Sequence, residues 1–265
     1  MSTVLRCWRP RLAALTGLLL WALPAGAAST EELNVTVRSR TIPLSIYRPS
    51  GASRGTIVMG SGDVGWVGLA VSMAEELSAR GYLVVGLNVR HYLAAFTSGK
   101  EHLEPADVAA DYRLFADAAR QKFAAGPRVV VAGVSEGAAL AVLAASDPKN
   151  RAWIAGVITL GLPATAELAW HWSDLWAAAM KKDAAEPSFK VADYLPRIAP
   201  VPLCMIQSKK DEYVPPSDYE KFRVLAGRPS QLVLIDASNH RFTDRRPELS
   251  RAVADGLEWI GRAGR

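Results

Sequence analysis

One short segment of the chain, residues 128–146, reads RVVVAGVSEGAALAVLAAS. The run Val129–Val131 is β-branched and favours a buried strand, whereas the alanine-rich residues after Gly137 favour a helix. Between them stands Gly133-Val134-Ser135-Glu136-Gly137, which matches the G-x-S-x-G pattern of a sharp strand-to-helix turn. Small residues on both sides of the serine let strand and helix approach closely. The segment therefore predicts a turn that presents the Ser135 hydroxyl at the end of a strand.

Short apolar runs and helical stretches alternate on both sides of this segment. Two alternating polar and apolar runs, Leu33–Arg38 and Leu44–Arg48, predict an antiparallel hairpin at one edge. Further strands are predicted at Thr56–Met59, Tyr82–Leu87, Arg128–Ala132, Ile154–Leu160, Pro202–Gln207 and Gln231–Ile235. Helices are predicted at Leu69–Arg80, Pro105–Phe123, Ser135–Ser146, Ser217–Leu225 and Pro247–Ile260. Because buried parallel strands need helices over both faces, the pattern predicts an α/β fold with a doubly wound, mostly parallel sheet.

One interval, residues 162–200, is longer than a plain crossover helix requires. Within it, apolar residues at helical spacing form one stripe that includes Trp172 and Trp176. Two interpretations are open. The stripe is either a helix packed on the sheet, or the face of a small helical cap that meets an apolar substrate above the carboxyl ends of the strands. In the second interpretation Trp172 and Trp176 bind the substrate.

The composition is that of an ordinary globular protein, with 50% hydrophobic and 22% charged residues among 265, which excludes a disordered chain. The formal net charge is +5. Outside the N-terminal segment, lysines and arginines are scattered among acidic residues and form no basic stripe that could follow phosphates. We therefore expect no nucleic-acid partner.

The first 27 residues have the pattern of a secretory signal peptide. Three arginines precede the apolar run Leu12–Leu23, and small residues after Pro24 supply a cleavage sequence. The run is too short to cross a bilayer of about 30 Å comfortably. Cleavage would leave residues 28–265 as one domain, and the loss of the three arginines would lower the net charge from +5 to +2. We therefore expect a secreted or periplasmic protein.

A serine hydroxyl needs a base and an orienting acid to become a nucleophile. Of the four histidines, His240 follows a predicted strand and precedes the last helix, which is the position of a loop-borne base. His91 is the second candidate. Asp211 stands after another predicted strand and is the expected acid, although the adjacent Glu212 remains an alternative. The order serine, acid, histidine along the chain is that of the α/β-hydrolase triad.

An oxyanion formed at Ser135 requires backbone donors. One is expected from the N–H of Glu136, directly after the nucleophile. The other is expected from the glycine-rich turn after Thr56–Met59, in which Ser61, Gly62 and Asp63 are the candidates. The turn lacks the lysine and the glycine spacing of nucleotide-binding loops. The histidines and carboxylates show no metal-ligand spacing, and we expect neither a metal nor a cofactor.

At these residues the sequence resembles the α/β-hydrolase superfamily and, more narrowly, the family of the bacterial virulence protein VirJ, whose members are exported. The most specific likeness is Ser61-Gly62-Asp63-Val64-Gly65-Trp66, close to the family's Ser-Gly-Asp-Gly-Gly-Trp. A weaker one is His240-Arg241-Phe242, against the family's His-His-Phe. The likeness extends over roughly residues 55–260.

The resemblance implies an α/β-hydrolase fold and an exported serine hydrolase. Some members are similar to hydrolases that remove an amino acid from aminoacyl-phosphatidylglycerol, which implies a lipid ester met by peripheral contact with a membrane. One residue departs from the family, because Glu136 stands where its Gly-Tyr-Ser-Phe-Gly motif has phenylalanine. A carboxylate at this place, beside the oxyanion hole, is expected to disfavour anionic substrates.

Two hypotheses for the function follow. In the first, the protein hydrolyses carboxylic esters of small molecules or lipids through an acyl-enzyme, with Ser135 as nucleophile, His240 as base and Asp211 as orienting acid. In the second, it is a non-catalytic exported binding or secretion-assembly module on a hydrolase scaffold, because a fold does not fix a function.

Overall fold

The computed structural model describes residues 29–98, 101–170 and 187–264. The predicted signal peptide, Trp172 and Trp176 lie outside these ranges. None of the helices within them combines the length and the apolar character that crossing a membrane requires.

The core of the molecule is an eight-stranded sheet. Its strands are β1 (Ser29–Val37), β2 (Arg40–Arg48), β3 (Gly55–Gly60), β4 (Tyr82–Leu87), β5 (Val129–Val134), β6 (Ile154–Leu160), β9 (Leu203–Ser208) and β10 (Ser230–Ile235), while β7 and β8 form a separate small sheet described below. The order of the eight strands is β1-β2-β4-β3-β5-β6-β9-β10. Strand β2 pairs antiparallel with both β1 and β4, and every other pairing in this sheet is parallel. The doubly wound sheet with an antiparallel N-terminal edge is thus confirmed.

Helices cover both faces of the sheet. They are α1 (Leu69–Ala79), α2 (Val89–Ala95), α3 (Pro105–Phe123), α4 (Glu136–Ser146), α5 (Pro216–Leu225) and α6 (Arg246–Ala263). Side chains of α2, α3, α4 and α5 contribute to one buried apolar cluster, and those of α1 and α6 to the other. Because each sheet face is covered, the central strands are buried almost throughout, which is why they read as continuous apolar runs in the sequence.

The long interval between β6 and β9 contains a small second sheet. Its strands, β7 (Thr165–Glu167) and β8 (Ser188–Lys190), pair antiparallel, and two short 3₁₀ turns, Val191–Asp193 and Leu195–Arg197, follow β8. The predicted apolar stripe falls mainly on residues 171–186, which are outside the described ranges. The helical cap therefore remains a prediction.

The glycines around Ser135 allow β3, β5 and α4 to meet backbone to backbone. A Cβ at Gly137 would lie 2.4 Å from the carbonyl carbon of Gly60 and 2.5 Å from its oxygen. A Cβ at Gly133 would lie 2.1 Å from the carbonyl carbon of Gly137. No flexible side chain is available to move aside in these contacts. The two motif glycines are therefore a packing requirement of the turn.

We expect Gly137→Ala to lower the free energy of unfolding by about 3 kcal/mol, because the added methyl must push two backbone segments apart. Urea denaturation followed by circular dichroism measures this change. Gly261→Ala is the matched control, since a Cβ at that helical glycine meets no described atom within 4 Å apart from its chain neighbours and the backbone of its own helix, and alanine is the better helix former. Equal stability of the two variants would contradict the close approach.

Candidate active site

The G-x-S-x-G turn joins β5 to α4 in the middle of the sheet. Ser135 is the N-cap of α4 and has φ 51° and ψ −117°, a conformation that costs a non-glycine residue free energy and is found mainly at functional sites. Its N–H donates to the Leu160 carbonyl on the neighbouring strand β6, at 2.8 Å. The serine is thereby fixed at the carboxyl ends of the strands, and its side chain is half-buried.

His240 and Asp211 form a hydrogen-bonded pair on the loops after β10 and β9. Asp211 Oδ2 lies 2.7 Å from His240 Nδ1, and the aspartate side chain is fully buried. The other oxygen, Oδ1, accepts the backbone N–H groups of Tyr213 at 2.9 Å and Val214 at 3.0 Å. Because both aspartate oxygens are engaged, the ring orientation is well defined. A proton held on Nδ1 leaves Nε2 as the nitrogen that can act as a base.

Glu212, the alternative acid, contacts the main chain of His240 and not its ring. Its Oε2 accepts the backbone N–H of His240 at 2.7 Å. The two neighbouring carboxylates thus both hold His240, Asp211 through the ring and Glu212 through the main chain. Only Asp211 is hydrogen-bonded to the imidazole.

The imidazole of His240 lies over the end of β6, next to the residue that is bonded to Ser135. A Cβ at Gly161 would be 2.6 Å from His240 Cε1 and 3.2 Å from Nε2. Gly161, at φ 62°, directly follows Leu160, whose carbonyl accepts the Ser135 N–H. Among the described residues the Ser135 hydroxyl forms no hydrogen bond, with the imidazole or otherwise. Such contacts are often long without substrate and tighten when it binds.

Gly161 was not among the residues expected from the sequence. A glycine is needed at this position because the imidazole of His240, from a loop distant in the sequence, packs against it. In the sequence, a single glycine after a strand is only a weak signal. His91, the second candidate base, is exposed on α2, on the opposite side of β5 from β6.

The turn after β3 lies close to the serine, but its three candidate donors differ. A Cβ at Gly62 would lie 3.6 Å from Ser135 Cβ. The Ser61 N–H, in contrast, donates to the Leu87 carbonyl at 3.0 Å. The expectation that Ser61 supplies an oxyanion donor is therefore wrong, because the sheet already uses its N–H. Asp63 is exposed, and its carboxylate accepts the Val64 N–H at 2.9 Å.

Ser61 instead holds the turn in place. Its hydroxyl donates to the Gly62 carbonyl at 3.0 Å and accepts the Val89 N–H at 3.1 Å, while its carbonyl accepts the Gly137 N–H at 2.9 Å. The turn, α2 and α4 are thereby linked through one buried residue. Gly62 and Glu136 remain the candidate oxyanion donors, and the Glu136 N–H, as the first of α4, has no partner within its helix.

The Glu136 carboxyl accepts the N–H of Glu167 on β7. Burial raises the pKa of Glu136 to about 8, and the nearby carboxylates of Glu167 and Asp63 act in the same direction, although the hydrogen bond from Glu167 opposes them. At neutral pH this carboxyl is therefore largely protonated. The expected negative charge beside the oxyanion hole develops only above about pH 8.

Glu136 should make the stability of the fold depend on pH. Between about pH 4.5 and pH 8 the folded chain keeps a proton on Glu136 that the unfolded chain releases, so the free energy of unfolding falls as the pH rises through this window. In Glu136→Gln this loss is absent, and we expect the variant to be more stable than the native chain by about 4 to 5 kcal/mol at pH 9.

Urea denaturation at pH 5 and pH 9 measures this difference. Glu220→Gln, which alters an exposed carboxyl on α5, is the control and should change little at either pH. A gain in Glu136→Gln that is the same at both pH values would contradict the raised pKa.

The described ranges contain no group of three histidine, cysteine, aspartate or glutamate side chains placed to hold a metal ion. What the site does offer is a strained serine, a buried aspartate–histidine pair and two backbone N–H groups at the same sheet edge. These are the parts that acyl transfer through a serine nucleophile uses.

Solved structures with a similar fold include an esterase and a dienelactone hydrolase. An esterase of Pyrococcus furiosus has a TM-score of 0.64 at 19% identity, with 87% of this chain and 90% of that chain covered. Est1E from Butyrivibrio proteoclasticus has a TM-score of 0.62 at 16% identity, with 86% and 98% covered. A dienelactone hydrolase from Anabaena variabilis has a TM-score of 0.62 at 17% identity, with 89% and 99% covered. These similarities show the α/β-hydrolase fold.

No curated protein matches the sequence. The family model of the bacterial virulence protein VirJ matches residues 55–228. This range covers more than half of the chain and includes the Ser61–Asp63 turn, Ser135 and Asp211, whereas His240 lies beyond it. With this match and an α/β-hydrolase fold, the chain belongs to the VirJ family.

Proposed function

We propose that the protein is a serine hydrolase that cleaves carboxylic esters through an acyl-enzyme. The observation that carries the proposal is the buried Asp211–His240 pair, 2.7 Å apart, whose imidazole lies beside the strand end bonded to Ser135. A buried carboxylate on Nδ1 of a histidine is the arrangement that prepares Nε2 to take a proton from a serine.

In the proposed reaction, Ser135 Oγ attacks the ester carbonyl carbon while His240 Nε2 takes the hydroxyl proton. The resulting oxyanion accepts hydrogen bonds from the backbone N–H groups of Glu136 and Gly62. When the intermediate collapses, the ester C–O bond breaks, and the imidazolium returns its proton to the leaving alcohol. Water then attacks the acyl-enzyme by the same route and releases the acid and the free serine. Asp211 stabilises the imidazolium of His240 during both acylation and deacylation and does not take its proton.

The substrate class and location are finer parts of the proposal. The resemblance to VirJ supports export through residues 1–27 and an aminoacyl-phospholipid ester as substrate, which would bring the protein into peripheral contact with a membrane. Trp172 and Trp176 would then contact the lipid. The names of the structural neighbours, esterases and dienelactone hydrolases, support ester cleavage more generally. No step of the reaction requires a metal or a cofactor.

A fluorophosphonate probe tests the proposal on the native protein. We expect one covalent adduct per chain, located by peptide mass spectrometry on Ser135, and loss of p-nitrophenyl hexanoate hydrolysis in proportion to labelling. Heat-denatured protein is the control for non-specific reaction. An adduct on another residue, or ester turnover that survives complete labelling of Ser135, would refute the assignment.

A further inference from the structure

The two edge strands of the large sheet differ in character. Strand β1 carries Glu31 and Glu32 among residues that are mostly polar and exposed. Strand β10 reads Ser-Gln-Leu-Val-Leu-Ile and carries no charge. Its residues Leu232, Val233 and Leu234 are only half-buried, whereas the central strands are buried almost throughout. Because charges on an edge strand discourage pairing with another chain and an uncharged apolar edge favours it, β10 is the edge suited to an added strand.

Alternate residues of β10 direct their backbone groups away from the sheet. The carbonyls of Pro229 and Ile235 accept N–H groups from β9 and the residue after it, at 3.0 and 2.9 Å. Because the backbone groups of successive residues point to opposite sides of a strand, the odd-numbered residues of β10 face β9. The N–H and C=O groups of Ser230, Leu232 and Leu234 therefore point outward, where no strand of the described ranges pairs with them.

A second copy of β10, paired antiparallel, satisfies these groups. A two-fold axis at Leu232 places this residue opposite its own copy, and Ser230 opposite Leu234 of the second chain. All three outward residues then form hydrogen-bonded pairs. The two eight-stranded sheets become one continuous sheet, and β6 and β9 still separate the new pairing from β5 and Ser135. The proposed catalytic edge of each copy therefore stays open.

Helix α6 leaves a groove beside β10 that such a copy would close. The groove has a volume of about 400 Å³ and is lined by Val233 on the strand and by Arg251, Asp255 and Trp259 on the helix. Both charged side chains are exposed. Arg251 donates to the Pro247 carbonyl of its own helix at 3.4 Å, and Asp255 has no ion-pair partner in the part of the chain that the structure describes. The helix thus offers one charge of each sign to the groove.

The packing of α6 on the sheet gives the level of the axis on the helix. A Cβ at Gly256 would lie 3.0 Å from Cys204 Sγ, and Cys204 pairs with Gln231 of β10. Leu232 is one residue further along the strand, a rise of about 3.3 Å, which corresponds to about two residues of a helix that rises about 1.5 Å per residue. Since α6 returns antiparallel to β10, the axis passes α6 near residue 254.

The two charges lie on either side of this level, so the axis brings Arg251 of each copy towards Asp255 of the other. The stripe of α6 is complementary to itself in the same antiparallel order that the strand pairing requires. Two further charges line the ends of the groove, and each is balanced within its own chain. Glu248 lies 3.6 Å from Arg245, and Arg262 lies 3.9 Å from Glu258.

We infer that β10 and α6 form a two-fold interface between two copies of this chain, in which β10 pairs antiparallel with its copy and Arg251 pairs with Asp255 across the groove. The inference does not depend on the proposed ester hydrolysis, and Ser135→Ala should dimerise like the native protein.

Size-exclusion chromatography with light scattering, over a series of concentrations, tests the inference. We expect the native protein to have twice the mass of one chain at micromolar concentration. Arg251→Asp and Asp255→Arg each replace two attractive contacts by two repulsive ones, and each should raise the Kd of the dimer about thirtyfold. The double variant Arg251→Asp/Asp255→Arg should dimerise like the native protein, because it only reverses the order of the charges.

A mixture of the two single variants separates a lost contact from a damaged fold. In a mixed dimer one chain carries two acids at these positions and the other two arginines, so both contacts are attractive again. We expect native mass spectrometry to show the heterodimer as the main dimeric species. Arg40→Asp makes the same charge reversal at an exposed residue of β2, near the opposite edge of the sheet. This matched control should leave the Kd unaltered.

Hydrogen exchange at single-residue resolution tests the strand pairing. The N–H groups of Leu232 and Leu234 should be protected in the native dimer and exchange at least tenfold faster in Arg251→Asp at the same concentration. The N–H groups of Val233 and Ile235, which face β9, should stay protected in both proteins.

A native protein that is monomeric at every concentration would overturn the inference. So would a dimer that neither charge reversal weakens, or one in which Leu232 and Leu234 exchange as fast as in the dissociated variant, because the interface would then lie elsewhere. Protection of these two leucines in a monomeric native protein would show that another segment of the same chain covers β10, which equally contradicts the interface.

Discussion

Ser135→Ala is expected to lower kcat/KM for p-nitrophenyl hexanoate by about 10⁴ to 10⁶-fold, because removal of a triad nucleophile leaves only what substrate binding and the oxyanion donors can achieve. The substitution itself removes a single hydroxyl that has no hydrogen bond within the described ranges. Stability should therefore change little. Spectrophotometric assays with the purified variant, together with thermal denaturation, measure the two effects separately.

Ser217→Ala is the control for this experiment, because Ser217 is an exposed serine at the start of α5 and lies outside the proposed site. It should retain native activity. If Ser135→Ala keeps most of the ester turnover, the acyl-enzyme proposal fails. The binding-module hypothesis makes the opposite prediction, because partner capture by such a module would survive in Ser135→Ala, whereas ester turnover would be absent from the native chain as well.

The sheet could be predicted from the sequence because its strands are buried on both faces. Burial on both faces selects continuous apolar runs, and β4 and β6 begin and end at the predicted residues. Helix α2 was not predicted, because seven residues give too little periodicity to separate a helix from a loop. The short pair β7–β8 was also not predicted, since strands of three residues leave almost no pattern.

The site was predictable to the level of loops and not to the level of atoms. Parallel strands bring their carboxyl ends to one edge, so the loops that carry Ser135, Asp211 and His240 had to meet there. Hydrogen bonds decide which residue of each loop has a group available to the site, and these bonds cannot be seen in the sequence. The pairing of β3 with β4 continues by one hydrogen bond, which the Ser61 N–H donates to the Leu87 carbonyl. Because this bond occupies the Ser61 N–H, Gly62 is left as the candidate oxyanion donor of the turn.

The charge at Glu136 is a further property that residue identity does not reveal. In the sequence it is an acid beside the nucleophile and predicts repulsion of anions. In the folded chain, burial under β7 keeps the proton in place. At neutral pH the protonated Glu136 therefore does not repel an anionic substrate, contrary to the expectation from the sequence.

Asp211→Asn is expected to lower kcat/KM for p-nitrophenyl hexanoate by about 10³ to 10⁴-fold. Asparagine has nearly the same shape as aspartate. However, it can present an N–H to His240 Nδ1, which favours the tautomer whose proton is on Nε2 and which therefore cannot accept the serine proton. It also lacks the negative charge that stabilises the imidazolium. Steady-state kinetics measure the loss, and thermal denaturation shows whether the buried loop remains folded.

Glu212→Gln is the matched control, since the two neighbouring carboxylates both contact His240 through different atoms. A glutamine oxygen can still accept the backbone N–H of His240, as Glu212 Oε2 does at 2.7 Å. We therefore expect less than a tenfold loss of kcat/KM in Glu212→Gln. The reverse result, with Glu212→Gln inactive and Asp211→Asn active, would contradict Asp211 as the orienting acid, because the hydrogen bond that distinguishes the two residues is the one from Asp211 to the imidazole. A charge that acted only through its proximity to the histidine would instead make both variants equally impaired.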